Sequence, residues 1–174
     1  MNTISKNAKD KNVGDLMQIQ AKRSPLLNRG NMSTIAEKKF RISSVIENLS
    51  PSGLVSGDVE KTEITPECFM KTDGAEYTVT YSEKTEGGVV FSDITIGENS
   101  VRVVRRGAIE SDMLFEEGLL HKSLYRVAPY SFDVEVTTSK IRNNLTRDGG
   151  SVQIFYKMKI GGADKSVRMK IECL

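Results

Sequence analysis

The sequence predicts an all-β fold, an antiparallel meander closed into a small barrel. Apolar and polar residues alternate through most of the last hundred residues, and glycine-rich turns recur at short, regular intervals. A period of two indicates strands, because successive side chains of an extended chain point to opposite sides. The series contains no helix long enough for a parallel crossover, which favours antiparallel hairpins. A closed barrel removes exposed edges, with a two-sheet sandwich as the alternative.

The individual strands follow from the same alternation. In the clearest one, residues 152–160, Val152, Ile154 and Tyr156 share one face with Met158 and Ile160. The first strand is expected from Phe40, and the charge-rich segment 58–64 is expected at an edge or facing solvent. Further strands are predicted at residues 68–71, 77–82, 89–96, 100–106, 113–116, 119–127, 132–136 and 166–173, about ten in all.

The chain divides into two parts by composition. Residues 1–36 lack the alternation and are predicted to be a flexible basic extension, and residues 37–174 form the barrel domain. Residues 1–39 hold eight Lys and Arg against three acids, or +5, which leaves −3 for the rest of a chain whose net charge is +2. Such an arm either binds nucleic acid or is a solvated tail, and solvated tails are commoner.

Bulk properties exclude several classes of protein. No run approaches the roughly 20 apolar residues of a membrane helix, and the N-terminus lacks a secretory signal, so a cytoplasmic location is expected. Two cysteines, Cys68 and Cys173, and one histidine are too few for a structural zinc site. The paired glycines stand in hairpin turns without the helix that phosphate-binding loops need. We therefore expect neither a metal nor a cofactor.

A family resemblance begins at Val103-Val104-Arg105-Arg106-Gly107 and continues through later strand motifs. Those motifs are Phe115, Tyr125, Val136-Thr137-Thr138, Ile141, Gly150, Ile154-Phe155-Tyr156-Lys157-Met158 and Ile171. In this order the chain resembles the YwiB-like family of small bacterial proteins, a domain of unknown function with a calycin-like barrel similar to lipocalins. The chain departs from the family at Tyr130-Ser131, where an aromatic-glycine pair is expected. The resemblance implies a fold and a bacterial origin, and no activity.

Arg105 is the foremost candidate for a binding residue. It shares strand parity with Val101 and Val103, so if the valines face the interior its guanidinium points inward too. A buried charge needs a partner, and a guanidinium suits a carboxylate or a phosphate. Alternatively Arg105 lies at the barrel rim beside Gly107 and either pairs with a local carboxylate or caps backbone carbonyls. The tyrosines are the second set, because a phenol suits both a pocket wall and an ordinary core: Tyr77, Tyr81, Tyr125 and Tyr156.

The sequence offers no catalytic constellation. His121 has no nucleophile or acid at a diagnostic spacing and is expected at the surface or rim, and Glu116 and Glu117 should face opposite sides. We therefore predict a non-catalytic binder of a small apolar or amphipathic ligand in the barrel mouth. The alternative is a protein- or RNA-interaction module that uses the basic arm and the outer barrel face. An enzyme is the third class, and a cavity lined by Arg105, His121 and a carboxylate together would make it a candidate again.

Overall fold

The computed structural model describes residues 33–174, whose regular secondary structure consists of eleven strands. Within this range there is no helix long and apolar enough to cross a membrane. The all-β prediction is confirmed. The strands are β1 (Thr34–Leu49), β2 (Val55–Ile64), β3 (Glu67–Asp73), β4 (Glu76–Thr85), β5 (Gly88–Ile96), β6 (Ser100–Gly107), β7 (Glu110–Glu116), β8 (Leu120–Val127), β9 (Tyr130–Asn143), β10 (Gly150–Ile160) and β11 (Ala163–Cys173).

The strands close into a barrel through β1. From β3 to β11 each strand pairs with the next one in sequence, so the predicted meander is confirmed. The first half of β1 pairs with β3 and its second half pairs with β11, where Phe40 faces Cys173. Ten strands therefore form a closed antiparallel ring, with β2 beside β1 outside it.

Strand β2 is the edge strand that its charges predict. It pairs with β1 alone among the described residues, and nine of its ten residues are exposed. β2 and β3 pair with successive parts of β1 in the same register: Ile42 pairs with Ile64 of β2, and Lys39 pairs with Glu67 of β3. Pro66, which has no N–H to donate, lies at the break between the two strands. The charged side chains of β2 discourage pairing with other chains.

Three strand boundaries differ from those expected from alternation. β1 begins at Thr34, within the predicted extension and six residues before Phe40. β7 begins at Glu110 rather than Met113, and β9 runs on to Asn143. In each case the added residues are mostly exposed and polar, so backbone pairing forms the strand without an apolar face to mark it. Residues 1–32 of the predicted extension lie outside the described residues.

The two ends of the barrel differ. One end carries the turns β4–β5, β6–β7, β8–β9 and β10–β11, and we call it the Gly107 end. We call the opposite end the Leu145 end. At the Leu145 end, the loop between β9 and β10 inserts the buried Leu145 side chain into the core. Asn143 holds this loop, because its side-chain amide donates to Gly97 O and its Oδ1 accepts from Leu145 N at 3.0 Å. The Leu145 end is therefore capped.

The core cysteine Cys68 gives a first testable prediction. Burial raises the pKa of the Cys68 thiol to about 12; a backbone hydrogen bond at Phe40 opposes the rise, and Cys173 adds slightly to it. Because only thiolate reacts, Cys68 in a Cys173→Ser variant should resist a disulfide reagent at pH 8 until the protein unfolds. The labelling rate in increasing urea measures this. Rapid labelling of the folded variant without denaturant would contradict the burial of Cys68.

Candidate functional site

A row of inward side chains crosses six strands near the Gly107 end. Each member is the direct cross-strand partner of the next, so neighbouring side chains stand about 5 Å apart at Cβ. We call this set the polar row. From β4 to β9 its members are Tyr81, Ser92, Arg105, Ser111, Tyr125 and Phe132.

Arg105 stands at the centre of the polar row, as its parity with Val101 and Val103 predicts. Both valines are fully buried, and Arg105 Nε is buried as well. The salt bridges of the described residues include none to Arg105. Arg105 therefore has no carboxylate partner among the described residues, while the alternative of a rim arginine that caps backbone carbonyls stays a prediction.

Two phenols next to Arg105 remain protonated. Burial raises the pKa of Tyr81, while Ser92 and the Arg105 charge oppose that rise and Glu83 adds to it. Burial raises the pKa of Tyr156 to about 12, and Arg105 again opposes the rise. Neutral phenols can share hydrogen bonds with the guanidinium, but they do not neutralise its charge.

Three consecutive members of the row have polar atoms that the protein leaves unsatisfied. Ser92 Oγ, Arg105 Nε and Ser111 Oγ are buried and have no hydrogen-bond partner among the described residues. Ser92 and Arg105 are close enough to Tyr81 to affect its pKa, but neither of these two atoms completes a hydrogen bond there. Native proteins satisfy most buried polar atoms, so such a cluster calls for water or a ligand.

The barrel wall is opened beside this row. Strands β7 and β8 are paired only at Glu110–Arg126 and Ser111–Tyr125. Beyond these pairs the two strands separate, until the turn in which Leu119 N donates to Glu116 O joins them again. The result is a short window in the wall, a stretch in which β7 and β8 are not paired.

An open cleft of about 1040 Å³ lies over the window. Its lining includes the inward residues Arg105, Ser111, His121 and Ser123. The outer faces of β6, β7 and β8 contribute apolar side chains, namely Val104, Leu114 and Leu124. The cleft therefore joins polar inner atoms to an outer wall on which three apolar side chains stand among charged ones.

The basic side chains on the outer wall of the cleft are each paired with an acid. Arg102 Nε donates to Asp112 Oδ1 at 2.8 Å, and Arg106 Nη1 donates to Asp93 Oδ2 at 2.7 Å. The other two pairs are Lys122 with Glu135 at 2.8 Å and Arg126 with Glu110 at 3.4 Å. The Glu135 hydrogen bond raises the pKa of Lys122, and the charge of Asp133 on the same outer face adds a smaller rise. Arg105, an inward residue of the same cleft, has no carboxylate partner among the described residues.

The Arg102–Asp112 pair gives a second prediction. The Arg102 hydrogen bond holds the pKa of the Asp112 carboxyl below its ordinary value, against a smaller rise from burial. A lowered folded-state pKa stabilises the protein above the unfolded pKa of about 4, and the contribution disappears as the pH falls through the lowered value. Because the pair is half exposed, Asp112→Asn should cost less than about 1 kcal/mol at pH 7. Urea unfolding at several pH values tests this, and a loss that grows towards acid pH would contradict it.

His121 lies half-buried in the open cleft, with 27% of its side chain exposed. Its Nε2 lies 2.9 Å from Glu116 Oε2, although the angle does not make a proper hydrogen bond. The outward Glu116 reaches His121 because β7 and β8 separate at this level. Glu117 accepts instead from Ile141 N at 2.6 Å. The two glutamates thus have different partners, as their opposite parity predicts.

Exposed aromatic rings border the same end of the barrel. Tyr130 and Phe132 stack with their ring centroids 6.3 Å apart, and Tyr130 is 65% exposed. A Cβ on Gly161 would lie 3.6 Å from the Phe132 ring, which places the ring against the β10–β11 turn. Tyr130 is also where the sequence departs from the family pattern.

The structure brings together four of the five residues predicted from sequence. Tyr81, Arg105 and Tyr125 belong to the polar row, and Tyr156 is buried with its ring 4.8 Å from that of Phe115. Tyr77 does not belong to the site: it lies four residues before Tyr81 on β4, roughly 13 Å away towards the Leu145 end.

Sequence reasoning missed Ser92 and Ser111. A signal existed, because each is a polar residue on the apolar face of its strand, Ser92 between Val90 and Ile94 and Ser111 before Met113.

These features define a class of protein, a closed antiparallel barrel whose inner wall carries polar side chains around one arginine. The chain belongs to the family described as Domain of unknown function (DUF1934), whose model matches residues 52–171. It is similar to the uncharacterized β-barrel protein YwiB of Bacillus subtilis, with 24% identity over 122 residues, 70% of this chain and 81% of the relative.

The crystal structure of the ywiB protein from Bacillus subtilis is similar in fold. It matches with a TM-score of 0.68 and 21% identity over 80% of this chain and 93% of that chain. At this identity the likeness supports the fold alone. The predicted resemblance and the predicted barrel are confirmed, and the protein is a β-barrel of unknown function.

Proposed function

We propose that this protein binds a small amphipathic ligand beside the Gly107 end of the barrel and does not convert it. The observation that carries the proposal is the set of adjacent buried atoms, Ser92 Oγ, Arg105 Nε and Ser111 Oγ, that lack a protein partner next to an open cleft. A ligand with a polar end would satisfy these atoms, and its apolar part would cover Leu114 and Leu124. Access is through the wall next to the mouth rather than along the barrel axis.

Binding of Nile red, an uncharged apolar dye, tests the proposal in the full chain. The wild type should enhance its fluorescence saturably. Ser123→Trp, which fills the inner part of the cleft, should abolish the enhancement, whereas Ser52→Trp in the exposed β1–β2 turn should not. Leu124→Trp repeats the test from the outer wall in case Ser123→Trp fails to fold. Equal dye binding by the wild type and both cleft variants would overturn the proposal.

An enzymatic role is the second candidate, because the cleft does combine Arg105 and His121 with carboxylates. His121 Nε2 lies 2.9 Å from Glu116 Oε2, so a candidate general base stands beside a carboxylate, although the two do not form a hydrogen bond. Hydrolysis of p-nitrophenyl butyrate by wild type and His121→Gln separates the two roles. A rate that falls at least tenfold in the variant would favour the enzyme, and equal rates would favour binding alone.

A cytoplasmic location is part of the proposal. The two cysteines are free and buried, which suits a reducing compartment. The alternative role of the basic arm in RNA or protein binding stays a prediction, because residues 1–32 lie outside the described residues. Electrophoretic shifts with RNA across a salt series, with and without residues 1–36, test it.

A further inference from the structure

We infer that the ligand carries a monoanionic carboxylate head group and that Arg105, Ser92 and Ser111 bind it. The inference rests on the proposed binding function and adds the chemical class of the ligand. It starts from a difference among the cations of the cleft. The outer four are each within salt-bridge distance of a carboxylate, whereas Arg105 has no such partner in the described part of the chain.

The surroundings of Arg105 do not supply the missing charge. Tyr81 and Tyr156 remain protonated because burial raises the pKa of each phenol. Glu83, on the same face of β4 and nearer the rim, acts on Tyr81 but forms no ion pair with Arg105 among the described residues. Arg105 is partly buried, with its Nε fully so, and it lacks a counter-charge, so a bound anion would gain an attraction that water screens less than at an exposed site.

The number and placement of the donors select the kind of anion. One free guanidinium balances one negative charge, and a second charge would find the other cations of the cleft already paired. A guanidinium fork matches the two oxygens of a carboxylate. Ser92 and Ser111 are the cross-strand neighbours on either side of Arg105, so their hydroxyls can donate to the same two oxygens.

The cleft also limits the rest of the ligand. The window is closed at one end by the Ser111–Tyr125 pair and at the other by the turn at Leu119. A peptide strand inserted between β7 and β8 would need about 4.8 Å of spacing on each side, which a hairpin joined at both ends does not provide. A single acyl chain fits, with its head group at Arg105 and its tail over Val104, Leu114 and Leu124.

Calorimetric titration of the full chain at pH 8 with decanoate, decanol and decyl phosphate tests the inference. Decanoate should bind the wild type about 10- to 100-fold more tightly than decanol, the range expected for charge-assisted hydrogen bonds. Decyl phosphate should bind more weakly than decanoate. Arg105→Met should remove the preference for decanoate over decanol, and Arg168→Met, on the exposed face of β11, should retain it.

The outcomes separate the head group from the function. Equal binding of decanoate and decanol would overturn the carboxylate and leave the proposed function standing, whereas binding of neither would overturn both. Tighter binding of decyl phosphate would overturn the monoanion, and a preference that survives in Arg105→Met would overturn the role of Arg105. Without ligand, Arg105→Met should melt no lower than wild type, since a clearly lower melting temperature would mean a structural arginine. Arg105→Lys, which retains charge without the fork, should keep part of the preference if Arg105→Met does not fold.

Discussion

Phe115→Ala should lower the free energy of unfolding by about 3–5 kcal/mol. Phe115 is fully buried on β7, and its ring packs 4.8 Å from the ring of Tyr156, centroid to centroid. Truncation removes the apolar area of the ring and leaves a cavity. The neighbouring strands are held in the closed barrel and do not move in to fill it. Since single domains are stable by only about 5–15 kcal/mol, this one change removes a large part of the total.

Urea unfolding followed by circular dichroism measures the loss. Phe91→Ala is the matched control, because Phe91 lies on the outer face of β5 and is 39% exposed. We expect this variant to lose less than about 1 kcal/mol of unfolding free energy. Similar losses for the two variants would mean that the interior between β7 and β10 is not packed as described.

Gly150→Ala should cost about 3 kcal/mol, although it adds only one methyl group. Gly150 has a φ of 103°, which residues with a side chain rarely adopt. An added Cβ would also clash with the carbonyl oxygen of Asn144. That oxygen belongs to the backbone of the loop that caps the Leu145 end, so the loop itself has to move. We expect Leu145 to lose part of its burial as a consequence.

The control for this prediction is Gly53→Ala. Gly53 also has a positive φ, 79°, but an added Cβ there would meet nothing within 4 Å. It should cost only the conformational term, about 1 kcal/mol. Thermal unfolding with hydrogen exchange at Leu145 measures both effects. Equal losses for the two glycine variants would show that the close approach to Asn144 is unimportant.

The barrel and the candidate site differ in how far local sequence predicts them. Alternation identified β10 and β11 because their inward residues, such as Ile154 and Val167, are apolar and their outward ones are charged. It failed for the start of β1 and the end of β9, where most residues are exposed and the one fully buried side chain, Thr138, is polar. A strand that buries few apolar side chains carries little periodic signal.

The same limit applies to the site. Parity with Val101 and Val103 predicted the inward direction of Arg105, because two valines fix which face is dry. Parity alone does not say at which level of the barrel a residue lies. It therefore grouped Tyr77 with Tyr81, although the two are four residues apart along β4. It also left Ser92 and Ser111 unnoticed, since a serine on an apolar face looks like an ordinary interruption.

The sequence alone determined the antiparallel strands and most of their inward faces, because each depends on residues close together along one strand. The order of motifs from Val103 to Ile171 indicated the family, and parity offered the inward Arg105 as one of two positions. Only the tertiary structure decided that β1 closes the ring, that β7 and β8 separate, and that Ser92 and Ser111 flank Arg105. Those facts depend on register between strands, which pairing across the whole barrel sets and which neighbouring residues in the chain do not record.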